Sequence, residues 1–413
     1  MKTPGSEEGY ELTLAPEGPA VEVAPEAEPQ SLAEWVRRNL FPGVWSGILT
    51  VVLGAAAVWV VYLTADFILQ GADWSVLKRN LRLYMTGRFP LDEIWRVWIC
   101  LYALALLAGL SRGAIVHGRP TARRVVWRLV ILAAFVGTLA YLVESSLVIG
   151  LAMGTISTVV VGSILGRLAG RAIRRPLLIG WLLLFPFVIV ILRGFDGVKA
   201  ELWGGFMLNG LVAVVAIFVS FPIGILLALG RRSSLPAVRT FSVGFIEFIR
   251  GCPLAVLIFV GIYVFPLLLP PGSDPSNIIL AMAVFTIFSS VYVAEIVRGG
   301  LQGVPDTQYE AANALGLKYP RMMRSVVLPQ ALRNTIPAMI SHFISLFKDT
   351  SLLVVVGLFD DLASAASNAT TAFEFIGREM EALLPAAFVF WVVAFSMSRW
   401  SQRVETRVGV GER

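Results

Sequence analysis

The sequence predicts an all-α fold, a polytopic transmembrane helical bundle, and three observations support this. Of the 413 residues, 57% are hydrophobic and only 15% are charged, whereas soluble domains contain about 45–50% apolar and about 25% charged residues. The apolar residues occur in runs long enough for a helix to cross a bilayer, which takes roughly 20 residues. Basic residues concentrate in the short segments between these runs, as is typical of membrane proteins.

Ten apolar runs are candidate membrane spans. They cover residues 44–69, 95–110, 128–143, 146–166, 177–192, 206–230, 241–269, 277–297, 334–357 and 384–400. The seventh is unusually long and is broken by Pro253 and Pro266. The distribution of lysine and arginine places both termini in the cytoplasm and residues 298–333 on the same side, with the basic segment 70–94 as the exception.

The chain is predicted to consist of three parts. Residues 1–43 begin with a stretch rich in glutamate and proline and are expected to be a disordered cytoplasmic tail. Residues 44–192 form an N-terminal extension of about five spans. Its fourth run carries glycines at four-residue spacing between Gly150 and Gly170, which predicts close helix packing. Residues 200–405 form a core of five spans with one large loop at 298–333.

Several functional classes are disfavoured by the composition. The formal charge of +6 arises from the loops between spans and does not indicate binding of nucleic acid. Cys100 and Cys252 lie in or beside apolar runs, so we expect small buried side chains and no disulfide framework. No zinc-binding pattern and no phosphate-binding glycine loop is present in the sequence. We therefore expect no metal site, no catalytic residue and no cofactor in this chain.

The segment 298–333 is predicted to form two short helices joined by a turn. Thr307 and Glu310 have the spacing of a capping box, which starts the first helix. Gly316 ends that helix, and Pro320 fits the first turn of the second. We expect a surface of small side chains, Ala311 and Ala312, suited to close docking against another protein.

The spacing within this segment resembles the EAA motif of the permease subunits of ABC importers. The matching positions are Glu310, Ala311, Ala312, Gly316, Leu328 and Pro329. In that family the segment is the coupling helix, which sits in a groove of the ATP-hydrolysing subunit. The resemblance implies that these six residues couple transport to a partner ATPase, which uses ATP and Mg²⁺. Pro329 is also expected to interrupt the chain near the membrane.

Three further strings resemble permeases for polar amino acids. They lie at residues 248–254 (FIRGCPL), 294–301 (AEIVRGGL) and 348–352 (KDTSL). The N-terminal extension resembles the longer, M-type subunit of the general L-amino acid permease group. The resemblance implies a type I ABC-importer permease core in the bacterial inner membrane. The implied partners are an ATPase dimer, a second homologous permease, a periplasmic solute-binding protein, membrane lipid and an amino-acid substrate.

Charged and polar residues at membrane depth are candidates for the substrate pathway, because unpaired charges there are costly. These candidates are Arg250, Glu295, Asp349, Thr350 and Ser351. An amino acid needs an anion near its ammonium group and a cation or helix N-terminus near its carboxylate. The alternative is structural: Glu247 with Arg250, and Glu295 with Arg298, have the spacing of ion pairs on one helix face.

Three other functions compete with an amino-acid permease. The chain could be an ABC permease for another small polar solute. It could be a secondary transporter, whose folds contain internal repeats with broken helices, and Pro253 fits this weakly. It could be an intramembrane enzyme, although no serine–histidine or paired-aspartate pattern occurs on facing spans. ATP-dependent transport with and without an ATPase partner would distinguish a permease from the secondary transporter.

Overall fold

A computed structural model of the protein describes residues 31–115, 137–138, 142–143, 145–170, 172–273, 275–357 and 360–408. These ranges are almost entirely helical and contain no β-strand beyond one isolated bridge between Gly205 and Asp361, which agrees with the predicted all-α class. The chain divides into two compact units, residues 1–72 and residues 73–413.

The first unit contains α1 (Leu32–Leu40) and α2 (Val44–Asp66), which continues into a π-helical turn at Phe67–Gly71. The second unit contains the remaining helices. In chain order they are α3 (Ser75–Thr86), α4 (Ile94–Ile115), α5 (Ser146–Ala169), α6 (Arg174–Arg193), α7 (Gly205–Arg231), α8 (Pro236–Arg250), α9 (Leu254–Phe259), α10 (Asn277–Gln302), α11 (Asp306–Ala314), α12 (Tyr319–Met322), α13 (Leu328–Asp349), α14 (Leu362–Ala369) and α15 (Glu379–Val408).

Eight helices in the described ranges are long and apolar enough to cross a membrane. They cover Val44–Gly71, Ile94–Ala114, Ser146–Ala169, Arg175–Arg193, Gly205–Arg231, Asn277–Gln302, Tyr319–Val356 and Glu379–Val404. Each corresponds to one predicted span, although the last two begin earlier than predicted. The predicted span at 128–143 lies almost wholly outside the described residues.

The predicted seventh span is a bent pair of helices. The segments Pro236–Arg250 and Leu254–Leu268 meet at an angle of 105°. The break lies at Gly251 and Pro253, where Pro253 adopts extended backbone angles before α9 begins. Proline has no N–H to continue the helical ladder and restricts the residue before it. The predicted break at Pro253 is therefore confirmed.

The N-terminal end of the described chain is more ordered than predicted. Residues 1–30 lie outside the described ranges, but Leu32–Leu40 form α1, so the expectation of disorder is wrong for this stretch. The Ser31 side chain accepts a hydrogen bond from the Glu34 N–H, and the Glu34 carboxylate accepts one from the Ser31 N–H. This reciprocal capping satisfies two donors that a helix start otherwise leaves free.

The segment between the first two spans is also a helix and not a loop. In α3 the side chains of Val76 and Tyr84 are buried, as is Phe89 just beyond the helix. The Tyr84 hydroxyl donates a hydrogen bond of 2.8 Å to the carbonyl oxygen of Ala382 at the start of α15. Lys78, Arg79 and Arg82 of the basic segment 70–94 therefore lie on a helix that is packed against the rest of its unit, and Arg88 follows the end of that helix.

The predicted glycine stripe packs α5 against α4. A Cβ atom added at Gly162 would lie 3.0 Å from the Leu106 carbonyl oxygen and 3.2 Å from the Cα of Gly109. Only glycine permits such a close approach of two helix backbones. A Cβ atom added at Gly166 would likewise clash with the backbone of Leu110, whereas one added at Gly150 would meet no neighbouring atom. Close packing is thus confirmed for the central part of the stripe.

A buried arginine joins α4 to the end of α6 by hydrogen bonds. The Arg96 guanidinium donates hydrogen bonds to the carbonyl oxygens of Ile191 at 2.7 Å, Gly194 at 3.0 Å and Phe195 at 3.3 Å. The carboxylate of Glu93 lies 2.6 Å from the same guanidinium and neutralises it. A cation at a helix C-terminus satisfies carbonyls that have no partner within the helix.

The hydrophobic core of the second unit is centred on α10. One cluster of buried side chains joins Leu208 and Phe285, from α7 and α10, with Val97 and Leu192, from α4 and α6. A second cluster surrounds the other half of α10 and continues into the segment after it. The core therefore runs across the predicted boundary between residues 192 and 200, and the division of the chain at that boundary stays a prediction.

Candidate functional site

The segment after α10 forms a hydrogen-bonded turn centred on Gly316. The Leu317 N–H donates to the carbonyl oxygen of Ala312 at 3.1 Å, and the Gly316 N–H donates to that of Asn313 at 2.9 Å. These two hydrogen bonds close a helix C-terminus when the residue just after the helix adopts the left-handed conformation. Gly316 adopts it, with a φ of +69°. The predicted role of Gly316 in ending the helix is confirmed.

Two details of this segment differ from the prediction. The first helix begins after Pro305, which serves as the N-cap, so the predicted capping box of Thr307 and Glu310 does not form. Ala312 is 2% exposed and packs into the second core cluster. Of the two alanines predicted to form a docking surface, only Ala311 is exposed. The expectation was wrong because one face of α11, which carries Ala312, packs against the bundle.

The exposed side of the turn carries large apolar residues. Leu315 is 79% exposed and Tyr319 is 55% exposed, and they flank Gly316 in the sequence. Glu310 and Ala311 lie on the exposed side of α11. Motif spacing did not identify Leu315 and Tyr319. Their only signal was the presence of apolar residues in a polar turn. Such residues are typical of contact surfaces when they lie together.

Side-chain hydrogen bonds hold α11 against the bundle. The Gln330 side chain in α13 donates to the Gln308 side-chain oxygen at 3.1 Å. The Arg232 guanidinium at the end of α7 donates to the Tyr309 hydroxyl at 3.3 Å. Movement of α11 is therefore tied to α7 and α13.

Pro329 does not interrupt the chain as predicted. It lies in the first turn of α13, where the backbone returns to α-helical hydrogen bonding. A π-helical turn at Met323–Val327 precedes it, and helical structure continues from Tyr319 to Val356. Leu328 packs against the second core cluster. Both residues therefore join the turn firmly to a membrane span.

Arg250 and Glu295 belong to one network of ion pairs beside this turn. The Glu295 carboxylate lies 2.7 Å from the guanidinium of Arg231, 2.9 Å from that of Arg298 and 3.8 Å from that of Arg250. Glu247 lies 3.1 Å from Arg231 and 3.7 Å from Arg250. The network joins α7, α8 and α10, and it contains both pairs predicted from sequence spacing.

Asp349, Thr350 and Ser351 lie at the other end of α13, which has 22 residues and thus spans about 33 Å. Thr350 is fully buried. The Asn209 amide nitrogen lies 3.2 Å from both the backbone and hydroxyl oxygens of Thr350. The structure thus separates the predicted pathway residues into two groups at opposite ends of the bundle. We call the end with Gly316 the loop end.

A buried carboxylate organises the end opposite the loop end. The Asp361 side chain accepts hydrogen bonds from the N–H groups of Ala363 and Ser364, each at 3.2 Å, and from the Ser364 hydroxyl. The Asn209 side-chain oxygen accepts from the Leu362 N–H at 2.9 Å. Burial raises the pKa of Asp361, and these hydrogen bonds oppose that rise. The cluster caps α14 and holds it to α7.

A groove with a row of polar side chains, called the polar groove below, follows one side of α13. It has a volume of about 320 Å³ and lies between α13 and α15. Half of its lining residues are polar, namely Ser341, Ser345, Lys348 and Ser398, and half are apolar, namely Ile344, Trp391, Ala394 and Phe395. Three of the polar residues share one exposed face of α13 at helical spacing. Exposed polar groups within a membrane span face water or another protein more favourably than lipid. The sequence analysis includes Lys348 only within the string at 348–352 and does not predict this exposed face.

A second polar cluster is enclosed among α7, α10 and α13. The Ser289 hydroxyl lies 2.9 Å from that of Ser220 and 3.0 Å from Nε2 of His342. The Tyr292 ring stacks on the His342 ring at 5.5 Å between centroids. Tyr292 and His342 therefore pack against each other inside the bundle, and the Ser289 hydroxyl provides the hydrogen-bond partner of the histidine ring.

Comparisons with known proteins show which family has these features. Residues 220–410 match the family described as the binding-protein-dependent transport system inner membrane component. The chain is 35% identical to the inner membrane amino-acid ABC transporter permease protein YhdY of Escherichia coli K12, over 91% of this chain and 93% of the relative.

Two other relatives show how far the similarity extends. The glutamate/glutamine/aspartate/asparagine transport system permease protein BztC of Rhodobacter capsulatus is 33% identical, over 91% of this chain and 93% of the relative. The probable glutamine ABC transporter permease protein GlnP of Bacillus subtilis is 34% identical, over 50% of this chain and 94% of the relative. The long relatives thus share most of the region before residue 220 as well.

Proposed function

Because the chain belongs to the family of amino-acid ABC transporter permeases, we propose that its 298–333 segment transmits ATP-driven movement from an ATPase dimer to the membrane spans. The observation that carries this proposal is the hydrogen-bonded turn at Gly316 together with α11 before it. The two expose Leu315 and Glu310, and Gln308 of α11 is hydrogen-bonded to Gln330 of α13. A partner that moves this turn also moves a membrane-spanning helix. Glu310 and Ala311 contact the ATPase, while Ala312, Leu328 and Pro329 position them.

ATP and Mg²⁺ act in the partner ATPase under this proposal, and the permease supplies the pathway. We propose a periplasmic solute-binding protein as the third component, which delivers polar amino acids. BztC and GlnP, whose names between them mention glutamate, glutamine, aspartate and asparagine, support this substrate class.

A second, homologous permease is the partner that the polar groove supports. The exposed face formed by Ser341, Ser345 and Lys348 requires a polar neighbour at membrane depth. A facing permease with a similar groove would enclose a hydrated pathway between the two subunits. We propose that Ser351 and Asp349 lie at its entrance and that Arg250 and Glu295 lie near its exit.

Assembly tests this proposal directly. We expect the full-length chain to co-purify with an ATPase subunit and a second permease when all three are produced together. Amino-acid uptake into vesicles containing the complex is expected to require ATP inside and to stop when the ATPase is omitted. Uptake by this chain alone, driven by an ion gradient, would instead identify a secondary transporter.

We propose that the loop end faces the cytoplasm of a bacterial inner membrane and that both termini lie on that side. The excess of lysine and arginine in the segments at the loop end supports this orientation. In a background with Cys100→Ala and Cys252→Ala, Asn313→Cys is expected to react with an impermeant maleimide only in inside-out vesicles. Lys78→Cys on α3 is the matched control and is expected to react only in intact spheroplasts. The reverse pattern would disprove the orientation.

Arg250 is the member of the ion-pair network best placed to meet substrate. Its side chain is 39% exposed, and its ion pairs are the longest in the network at 3.7 and 3.8 Å. Exposed ion pairs contribute about 0–1 kcal/mol to stability, so Arg250→Ala is expected to reduce amino-acid uptake severalfold without reducing assembly.

Glu295→Gln is the matched variant for this prediction. Glu295 is 16% exposed and neutralises three arginines, so its replacement is expected to reduce both the assembled complex and uptake. Complex yield and uptake per complex are measured side by side. Normal uptake by Arg250→Ala would show that Arg250 has no part in transport.

A further inference from the structure

A basic pocket lies at the loop end between the end of α7, the first half of α8 and the end of α10. Its volume is about 390 Å³. It is lined by Arg231, Arg232, Arg239, Val243, Arg298 and Gln302. Four of these six residues are arginines, so the pocket concentrates guanidinium groups in a space large enough for a small anion.

Two of the arginines are not neutralised by the ion-pair network. Arg231 and Arg298 pair with Glu295. Arg232 donates to the Tyr309 hydroxyl, which carries no charge, and Arg239 forms no ion pair within the part of the chain that the structure describes. The pocket therefore keeps an excess of positive charge that an anion would compensate.

The pocket lies where membrane spans end. The spans Gly205–Arg231 and Asn277–Gln302 both end at residues that line it. Arg239 and Val243 lie one helical turn apart on the face of α8 that lines the pocket. Phe241 and Phe248, which are 66% and 68% exposed, lie on the opposite face of α8. Arginines at the ends of membrane spans are typical of the headgroup region.

We propose that this pocket binds the phosphate group of an anionic phospholipid from the leaflet at the loop end. Arg232 and Arg239 donate charge-assisted hydrogen bonds to the phosphate oxygens, for which the planar guanidinium is well suited. A soluble phosphate presents the same group, and the position of the pocket at the ends of two membrane spans favours the lipid. The proposal does not depend on the transport function.

Native mass spectrometry of the full-length chain in neutral detergent tests the proposal. The chain is titrated with phosphatidylglycerol, with phosphatidylcholine as the neutral lipid and with inorganic phosphate as the soluble anion. We expect phosphatidylglycerol to bind in preference to phosphatidylcholine. Arg232→Gln combined with Arg239→Gln is expected to weaken this binding about thirtyfold, since each arginine near an anionic group contributes a factor of roughly five. Arg239→Gln alone leaves the Tyr309 contact intact and is expected to weaken it about fivefold.

Arg399→Gln combined with Arg403→Gln is the matched control. It removes the same charge from the last part of α15, which runs antiparallel to α13 and so ends at the loop end. Preserved phosphatidylglycerol binding in this control supports a specific pocket, while equal losses in both double variants would overturn it. Displacement of the lipid by inorganic phosphate supports a phosphate site, and phosphatidylglycerol that resists this displacement assigns the site to the lipid. If the pocket variants bind the lipid normally but lose the ATPase, these arginines contact protein and the proposal fails.

Discussion

Gly316→Val is expected to abolish amino-acid uptake while the chain remains folded in the membrane. The φ of +69° at Gly316 is left-handed, and a side chain with a branched Cβ destabilises this conformation by about 1–2 kcal/mol. That amount is small for a bundle with a continuous core. It is sufficient to change the turn and to displace Leu315 and Tyr319 together from the surface offered to the ATPase. Uptake and ATPase association are both measured in membranes.

Two matched variants separate this effect from general strain. Gly272 has a φ of +89° and, like Gly316, open space where a Cβ would lie, but it belongs to the segment between α9 and α10. Gly272→Val introduces the same type of strain elsewhere and is expected to preserve uptake. Gly316→Asn is expected to retain part of the uptake, because asparagine tolerates the left-handed conformation. Normal uptake by Gly316→Val would show that this turn is not the coupling element.

Asp361→Ala is expected to prevent stable accumulation of the chain. The substitution leaves the N–H groups of Ala363 and Ser364 without their side-chain acceptor and removes a neighbour of the Asn209 amide. Each buried donor that loses its partner costs about 1–3 kcal/mol. Because a typical domain is stable by only about 5–15 kcal/mol, several such losses at one place are severe. Chain abundance in membranes and monodispersity in detergent are the measurements.

The adjacent residue provides the control for this prediction. Asp360 is 18% exposed and forms a 2.8 Å ion pair with Arg88, whose side chain is 68% exposed. Its other side-chain partner is the Asn368 amide at 3.4 Å, and ion pairs with an exposed partner contribute about 0–1 kcal/mol. Asp360→Ala is therefore expected to accumulate almost normally. Equal abundance of the two variants would contradict the central position assigned to Asp361.

The amino-acid sequence by itself predicted the membrane spans that the structure describes and the turn of the candidate site. Span positions follow from apolar runs, whose length alone decides whether a helix crosses a bilayer. The break at Pro253 and the left-handed turn at Gly316 follow from the chemistry of single residues, because proline lacks an N–H and glycine lacks a Cβ. The family resemblance likewise depends on spacing within a few short strings.

Only the tertiary structure decided which of the selected residues face outward and which share a site. Ala312 is buried and Leu315 is exposed, because α11 is held to the bundle by Gln330 of α13. Thr350 is a buried partner of Asn209, which lies 141 positions away in the sequence. Glu295 and Arg231 are 64 positions apart and yet form the shortest ion pair of their network. Helix ends depend on neighbouring residues, whereas burial and charge pairing depend on contacts between distant segments, which local sequence patterns do not determine.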